Sequence, residues 1–402
     1  MKVTITPGIV KGEVLAPPSK SMAHRLLIGA ALSEGVSVVH NIELSEDIKA
    51  TLGILEALGG NYSIEKGKVV MRGIGGRKLQ SNKKLDCNES GSTLRFFIPL
   101  VLTSGQPYEF IGAKRLFERP LSIYEDICKE QQIVFEKKGA GLFVEGQLKA
   151  SHYKIQGNIS SQFITGLLFA LPLLKEDSIL EILPPIESKA YIDMTLEALT
   201  IFDIKIKQEG NKYYIPGNQS FKAQEVTVEG DYSNAAFLDA FNLIGGTVSV
   251  GGLKADSLQG DQVYKKYYEL LKAGCPTLDI AGCPDLGPIL IGLAAAKQGA
   301  SFTGTRRLRI KESDRGAVMA EELQKFGICV EVKENEIIVH AGNLQKPEQM
   351  LDSHNDHRIA MTMATLCTIT GGTIVGAESV RKSFPNYYEV LEALGIQVTR
   401  ED

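Results

Sequence analysis

The chain has 402 residues, 44% of them hydrophobic and 23% charged, a length and composition that suit two globular domains rather than a single core. Lysine and arginine total 44 against 48 aspartates and glutamates, and the formal charge of −4 gives no bulk attraction for nucleic acid or an anionic membrane, so any anion must be held by local clusters. The longest apolar runs, 96–103 and 167–174, fall far short of the roughly 20 residues a bilayer requires, and the alternating N-terminal segment lacks the apolar stretch of a secretory signal, so a cytoplasmic location is expected.

Along the chain one unit recurs about six times: an acidic or amide residue opens a helix, a Leu-rich turn ends it, and a short strand follows. The copies begin at Asp47, Asp126, Asp193, Asp261, Asp314 and Asn386. Gly59, Gly327 and Gly395 stand where a left-handed cap would end the helix. The residues after the fifth helix, 329–332 and 336–339, switch to period two, as strands do. Turn-rich pieces at 72–76, 216–218 and 245–246 are too short to be linkers. Chain crossings near 12–18 and 222–229 predict a domain over 14–225 and a second formed by 1–13 with 226–402. Six scattered cysteines, with no C-x-x-C pair and no histidine at ligand spacing, predict reduced thiols and no metal.

Seven clusters carry chemistry. Lys20, Ser21 and Arg25, in PSKSMAHR, lie where a loop enters a helix, and free N–H groups there favour an anion; capping by Ser19 or Ser21 is the alternative. The turn 89–95 (ESGSTLR) offers hydroxyls, Arg95 and a close backbone approach at Gly91. Arg119 precedes Pro120, and Ser160, Ser161 and Gln162 open an apolar helix, donors that suit a phosphate monoester or a polyol. In 309–315 (RIKESDR), Glu312 between Lys311 and Arg315 is placed for proton transfer, although an exposed salt-bridged turn gives the same pattern. Asp356, His357 and Arg358 lead into a further apolar helix, and Lys382 lies in RKSFP. No nucleophile elbow, P-loop or dinucleotide fingerprint accompanies them. Lys20, Arg25, Arg119, Lys311, Arg315, Arg358 and Lys382 together carry more charge than one phosphate needs, which implies two anionic substrates.

Taken in order, PSKSMAHR, ESGSTLR, ERP, SSQF, SKAYID, Pro284-Asp285, KESDR, NDHR and RKSFPNYYEVL resemble the motif series of the 5-enolpyruvylshikimate-3-phosphate synthase family over essentially the whole chain. The resemblance implies an α/β fold of two inside-out barrels built from six repeated βαβαββ-like units, with the active site in the interdomain cleft. It implies a monomer without cofactor that transfers the enolpyruvyl group of phosphoenolpyruvate to the 5-hydroxyl of shikimate-3-phosphate through a tetrahedral intermediate. Shikimate-3-phosphate would be held by Lys20, Ser21, Arg25, Ser160, Ser161, Gln162, Ser188, Tyr191, Asp285 and Lys311. Phosphoenolpyruvate would be held by Lys20, Gly91, Arg119, Gln162, Arg315, Arg358 and Lys382. Asp285 would be the base at the hydroxyl, with Glu312 and Lys20 moving the proton at C3.

The chain departs from the family pattern at Glu89 and Arg307, where asparagine is common. A related family that acts on UDP-N-acetylglucosamine carries Lys-Asn where this chain has Lys20-Ser21, and a cysteine in the loop that here spans 112–120, which holds none. A non-catalytic binding protein on the same units predicts losses among the acid–base residues, yet Asp285, Glu312 and Lys20 are all present.

Overall fold

The computed structural model describes residues 1–75, 79–81 and 83–401; Gly76, the last residue of the expected turn 72–76, lies outside the described residues. The chain divides into two compact units, one of Met1–Pro17 with Gly230–Asp402 and the other of Pro18–Glu229.

The repeat takes the form of one sheet plan used five times. In one copy Lys84–Asp86 runs parallel to Tyr108–Ile111 across the helix Gly91–Leu102, Gly141–Glu145 lies antiparallel on the far side, and Val134–Lys137 closes the edge. Residues 152–215 repeat this order. So do Val36–His40, Lys68–Arg72 and Asn61–Glu65, whose parallel partner Glu225–Thr227 returns from far along the chain. The other unit has one copy over 277–339 and one in which the N-terminal strand Lys2–Ile5 pairs with Gly372–Val375 and Val398–Glu401. In all five, the edge strand is the segment that follows a helix. Gly59, Gly327 and Gly395 make the turn into three of those strands at φ of 106°, 80° and 94°.

The sequence copy opening at Asp261 departs from this plan. Its helix Tyr264–Ala273 is followed after only Gly274–Pro276 by Thr277–Asp279, which already belongs to the next sheet. The hairpin has no residues left to form it. The place of a sixth four-stranded sheet is consequently taken by two strands, Lys11–Leu15 beside Thr247–Gly251, and a further two-stranded pair in the other unit joins Ser33–Glu34 to Phe221–Lys222.

Within each unit the helices are innermost. Gly91–Leu102, Ser161–Ala170, Gly287–Ala295 and His357–Thr370 are buried along nearly their whole length, while strands such as His152–Gln156 alternate buried and exposed residues. Close helix approach depends on glycine. A Cβ at Gly166 would lie 2.5 Å from the Arg95 carbonyl oxygen, and one at Gly292 would lie 2.5 Å from Thr362 Cγ2. The Arg95 carbonyl also lacks its helical donor, because the residue four places on is Pro99. Tyr124 replaces it, donating its hydroxyl to that oxygen at 2.7 Å. Among the described residues, no helix is long and apolar enough to cross a membrane.

Candidate active site

In the Pro18–Glu229 unit the singled-out residues cluster at helix N-termini. Ser19, Ser90 and Ser160 are the N-caps of Lys20–Leu32, Gly91–Leu102 and Ser161–Ala170, each accepting a backbone N–H from the first turn. Capping therefore accounts for Ser160 and leaves Ser161 and Gln162 in the first turn. Lys20 opens its helix and donates to Asp47 Oδ2 at 2.7 Å, with both side chains mostly buried.

Ser21 turns its carbonyl to Arg25 Nη1 at 2.6 Å. Arg25 is 3% exposed and also donates to Thr195, Thr165 and the Tyr191 carbonyl, so it ties three helices together. One Nη1 hydrogen has no acceptor among the described residues. Burial lowers Arg25 to about 10. Its neighbour His24 donates or accepts through Nδ1 with Thr51, which bonds Thr93, which bonds Ser90. Burial first, then Lys20 and Arg25, lower His24 and hold it neutral.

Gln162 is oriented from two sides: its Oε1 accepts from Arg95 Nη1 at 2.8 Å and its Nε2 donates to Ser92 Oγ at 3.0 Å. Arg95 also donates to the Pro120 carbonyl at 3.0 Å. Pro120 keeps Arg119 out of the helical region, at ψ 147°, and so ends the helix Lys114–Glu118 there. The Arg119 guanidinium then lies against Gly91, where a Cβ would come within 2.7 Å of Nη1. Ser188 is buried in a left-handed conformation, φ 54°, ahead of the helix Lys189–Ile201 that carries Tyr191.

The other unit gathers the remaining residues around one aspartate. Asp285 Oδ1 accepts from Arg315 Nη1 at 2.8 Å and lies 3.1 Å from Lys311 Nζ, while Oδ2 is 3.5 Å from Arg358 Nη2. Burial alone would raise Asp285; Lys311, Arg358 and Arg315 overcome it and hold the carboxyl well below its ordinary value. Arg315, 1% exposed, also donates to Glu312 Oε2 at 2.8 Å and Asp356 Oδ2 at 2.8 Å. Burial opposes its charge, but Asp356, Glu312 and Asp285 outweigh that and raise it. Burial lowers Lys311 to about 8, with Asp285 acting in the opposite direction.

Asp356 caps the helix His357–Thr370 through the Arg358 N–H at 2.9 Å and accepts from Ser313 at 3.1 Å. Arg358 lies with Cζ 5.8 Å from the Phe237 ring centroid, and its Nε and Nη1 are buried without an acceptor among the described residues. Lys382 donates to the Asn355 carbonyl at 2.5 Å. Arg307, one of the two family departures, is 6% exposed and adds a further cation acting on Lys311.

Sequence reasoning did not anticipate Asp47, the Thr165–Thr195 pair or the anchoring role of Asp356. Each is far in sequence from its partner, and only the helix-start position of Asp47 and Asp356 was a local signal. Asp261 was seen only as a helix opener. It accepts from Ser233 at 2.6 Å and is pushed up to about 6 by burial and then by Asp285. Among the described residues, Glu321, Glu322 and His354 form a group of metal-ligand types. Lys325 already lies 2.8 Å from Glu322 Oε1, so an ammonium sits where a cation would bind.

The sequence model of the family described as EPSP synthase (3-phosphoshikimate 1-carboxyvinyltransferase) matches residues 5–391. A 3-phosphoshikimate 1-carboxyvinyltransferase of Clostridium perfringens (strain ATCC 13124) is 41% identical, with 98% of each chain covered. One of Clostridium kluyveri is 40% identical, again with 98% of each chain covered. Among solved structures, an EPSP synthase from Acinetobacter baumannii covers 99% of this chain and all of that one, with a TM-score of 0.78 at 24% identity, a likeness of fold.

Proposed function

Because the chain belongs to the EPSP synthase (3-phosphoshikimate 1-carboxyvinyltransferase) family, it transfers the enolpyruvyl group of phosphoenolpyruvate to shikimate-3-phosphate, and we propose which of its residues carry that reaction. The observation that carries the proposal is Asp285, a carboxylate held by Lys311, Arg315 and Arg358, where Arg358 keeps two buried donors without an acceptor among the described residues. Such an arrangement exchanges an internal carboxylate for a substrate anion.

Phosphoenolpyruvate takes the donors of Arg358, with Arg315 and Lys382 beside it in the same unit; planar guanidinium groups suit its carboxylate and phosphate. Lys20, Gly91, Arg119 and Gln162 are the contribution of the Pro18–Glu229 unit. Shikimate-3-phosphate takes Lys20, Ser21, the remaining Arg25 hydrogen, Ser160, Ser161, Gln162, Ser188 and Tyr191 from that unit, and Asp285 and Lys311 from the other. As the 5-hydroxyl attacks C2, its proton passes to Asp285, and Glu312 or Lys20 delivers a proton to C3. In the elimination Glu312 or Lys20 takes a proton back from C3, and the C2–C3 double bond forms as the C2–O bond to phosphate breaks. The basic residues meet the charge on the departing phosphate, and the proton held by Asp285 leaves to phosphate or solvent. Six free cysteines agree with a reducing, cytoplasmic setting.

The test is phosphate release from purified protein given phosphoenolpyruvate with shikimate-3-phosphate, and separately with UDP-N-acetylglucosamine. Release with shikimate-3-phosphate alone, lost in Asp285→Ala, is expected. Release with the sugar nucleotide alone would move the reading to that substrate.

Gly91 gives a second expectation. An added methyl would sit 2.7–2.9 Å from Arg119 Nη1, Cζ and Nη2, so the guanidinium must turn away. In Gly91→Ala the KM for phosphoenolpyruvate rises roughly tenfold, as expected when one charge-assisted bond weakens, and inhibition by a mimic such as glyphosate weakens in parallel. The KM for shikimate-3-phosphate stays within about twofold, since Arg119 is not among its ligands. An unchanged KM for phosphoenolpyruvate would remove Arg119 from that site.

A further inference from the structure

Glu322 lies on the helix Arg315–Lys325, seven residues after Arg315, and is 0% exposed. A carboxylate there must be fully bonded to be tolerated. Its Oε1 accepts from Lys325 Nζ at 2.8 Å and lies 3.0 Å from His354 Nε2, and its Oε2 accepts from the Asp352 backbone N–H at 3.0 Å. Lys325 also reaches the Met350 carbonyl at 3.3 Å. Among the described residues, every partner outside the helix thus belongs to residues 350–354.

That segment ends in a tight turn. His354 and Asn355 are both left-handed, at φ 48° and 55°, a conformation non-glycine residues keep only where the surroundings over-determine it. The turn is held internally by the His354 N–H on Asp352 Oδ1 at 2.7 Å and by the Asp356 N–H on the Ser353 carbonyl at 2.9 Å. Its outgoing side meets cations assigned above to phosphoenolpyruvate. The Asn355 carbonyl accepts from Lys382, the Asp356 carboxylate accepts from Arg315, and the same carboxylate caps the helix that starts with His357 and Arg358.

We propose that Glu322 is a positioning residue for the phosphoenolpyruvate cations, bracing the turn 352–356 against the helix of Arg315 so that Arg315, Arg358 and Lys382 keep one relative geometry. It is not among the groups assigned to substrate and acts through the turn. The helix and the turn are joined at two places, Arg315 with Asp356 at one end and Glu322 with Asp352 and His354 at the other. Without the second, the turn is still held on its strand side by the Ser353 N–H on the Val375 carbonyl at 3.0 Å and the Ser353 hydroxyl on the Gly376 carbonyl at 2.8 Å, while its helix-facing side, with His354, Asn355 and Asp356, is free to shift about the first. The inference rests on the assignment of those three cations to phosphoenolpyruvate, so its test carries a reference variant.

In Glu322→Gln the amide turns a donor toward either the Asp352 N–H or the Lys325 and His354 donors, and one side of the brace opens. The KM for phosphoenolpyruvate should rise about fivefold or more, as small misplacements of binding groups do, while the KM for shikimate-3-phosphate stays within about twofold. A role confined to stability would lower Tm and leave that ratio alone. His354→Ala, which withdraws one bond and leaves Glu322 paired with Lys325 and Asp352, should give a smaller rise of the same selectivity; it decides the matter by the same criterion if Glu322→Gln does not fold. Arg358→Ala is the reference: if it leaves the KM for phosphoenolpyruvate unmoved, the Arg358 assignment fails on its own account. A selective rise in the Glu322 variant together with a rise in Arg358→Ala supports the brace; a selective rise with Arg358→Ala unmoved, equal rises in both KM values, or none, overturn it in this form.

Discussion

Replacing Asp285 with asparagine lowers kcat by about 10²–10⁴, the usual contribution of a positioned general base, while both substrates still bind. Asparagine keeps the volume and one carbonyl acceptor toward Arg315 and Lys311, so the change falls on proton transfer. With its three cations in place Asp285 is a poor base, held well below its ordinary value against the opposing effect of burial. Phosphoenolpyruvate engaging Arg358 and shikimate-3-phosphate engaging Lys311 loosen that hold, and the carboxylate gains basicity when the substrates are present. The same coupling acts on Lys311. Burial lowers it to about 8; Asp285 and Glu312 work upward against it, and Arg315 and Arg307 work with it. Lys311 is charged below that pH and neutral above, so kcat/KM for shikimate-3-phosphate falls as pH rises through about 8. Asparagine at 285 removes the strongest upward influence, and the basic limb moves to lower pH. A pH series of kcat/KM on both proteins checks this: wild-type kcat in the variant would dismiss Asp285 as the base, and an unmoved limb would detach Lys311 from it.

The parts of this molecule that were legible in the sequence are those written locally. The serine caps and the glycines after the helices depend on residues a few places apart, and the structure has them at the expected positions. Two of the expected helix openers are misplaced, since Asp126 and Asp193 lie one turn inside Ser122–Glu130 and Lys189–Ile201, which open on a serine and a lysine. What the sequence did not reveal is pairing across distance. Nothing near Arg25 announces that Thr165 and Thr195 will take its donors, and nothing near Arg315 announces Asp356. The reduced sixth sheet follows from the three residues Gly274–Pro276 between one helix and the next strand, and it appears only when that strand is seen to be paired elsewhere. Charge type at a helix start was therefore readable, while the identity of each charge's partner was not.

That distinction sets the expectation for Lys20, which the sequence identified and the structure pairs with Asp47. In Lys20→Ala the Asp47 carboxylate, 12% exposed, loses its cation, and stability falls by about 2–4 kcal/mol, slightly less than for a fully buried pair broken on one side. Its negative charge also stands where anions must bind, so the KM values for both substrates rise. If Lys20 moves a proton as well, kcat falls by about 10²–10⁴. The two contributions separate in the double variant Lys20→Ala with Asp47→Asn. Neutralising Asp47 removes the unpaired charge, which restores most of the stability and part of both KM values, but supplies no proton donor, so kcat stays low. Thermal melts and steady-state kinetics on the four proteins of this cycle measure both. A double variant that regains kcat would show that Lys20 serves only to balance Asp47 and hold substrate, and the proton at C3 would then fall to Glu312, released from Arg315 when an anion takes its place.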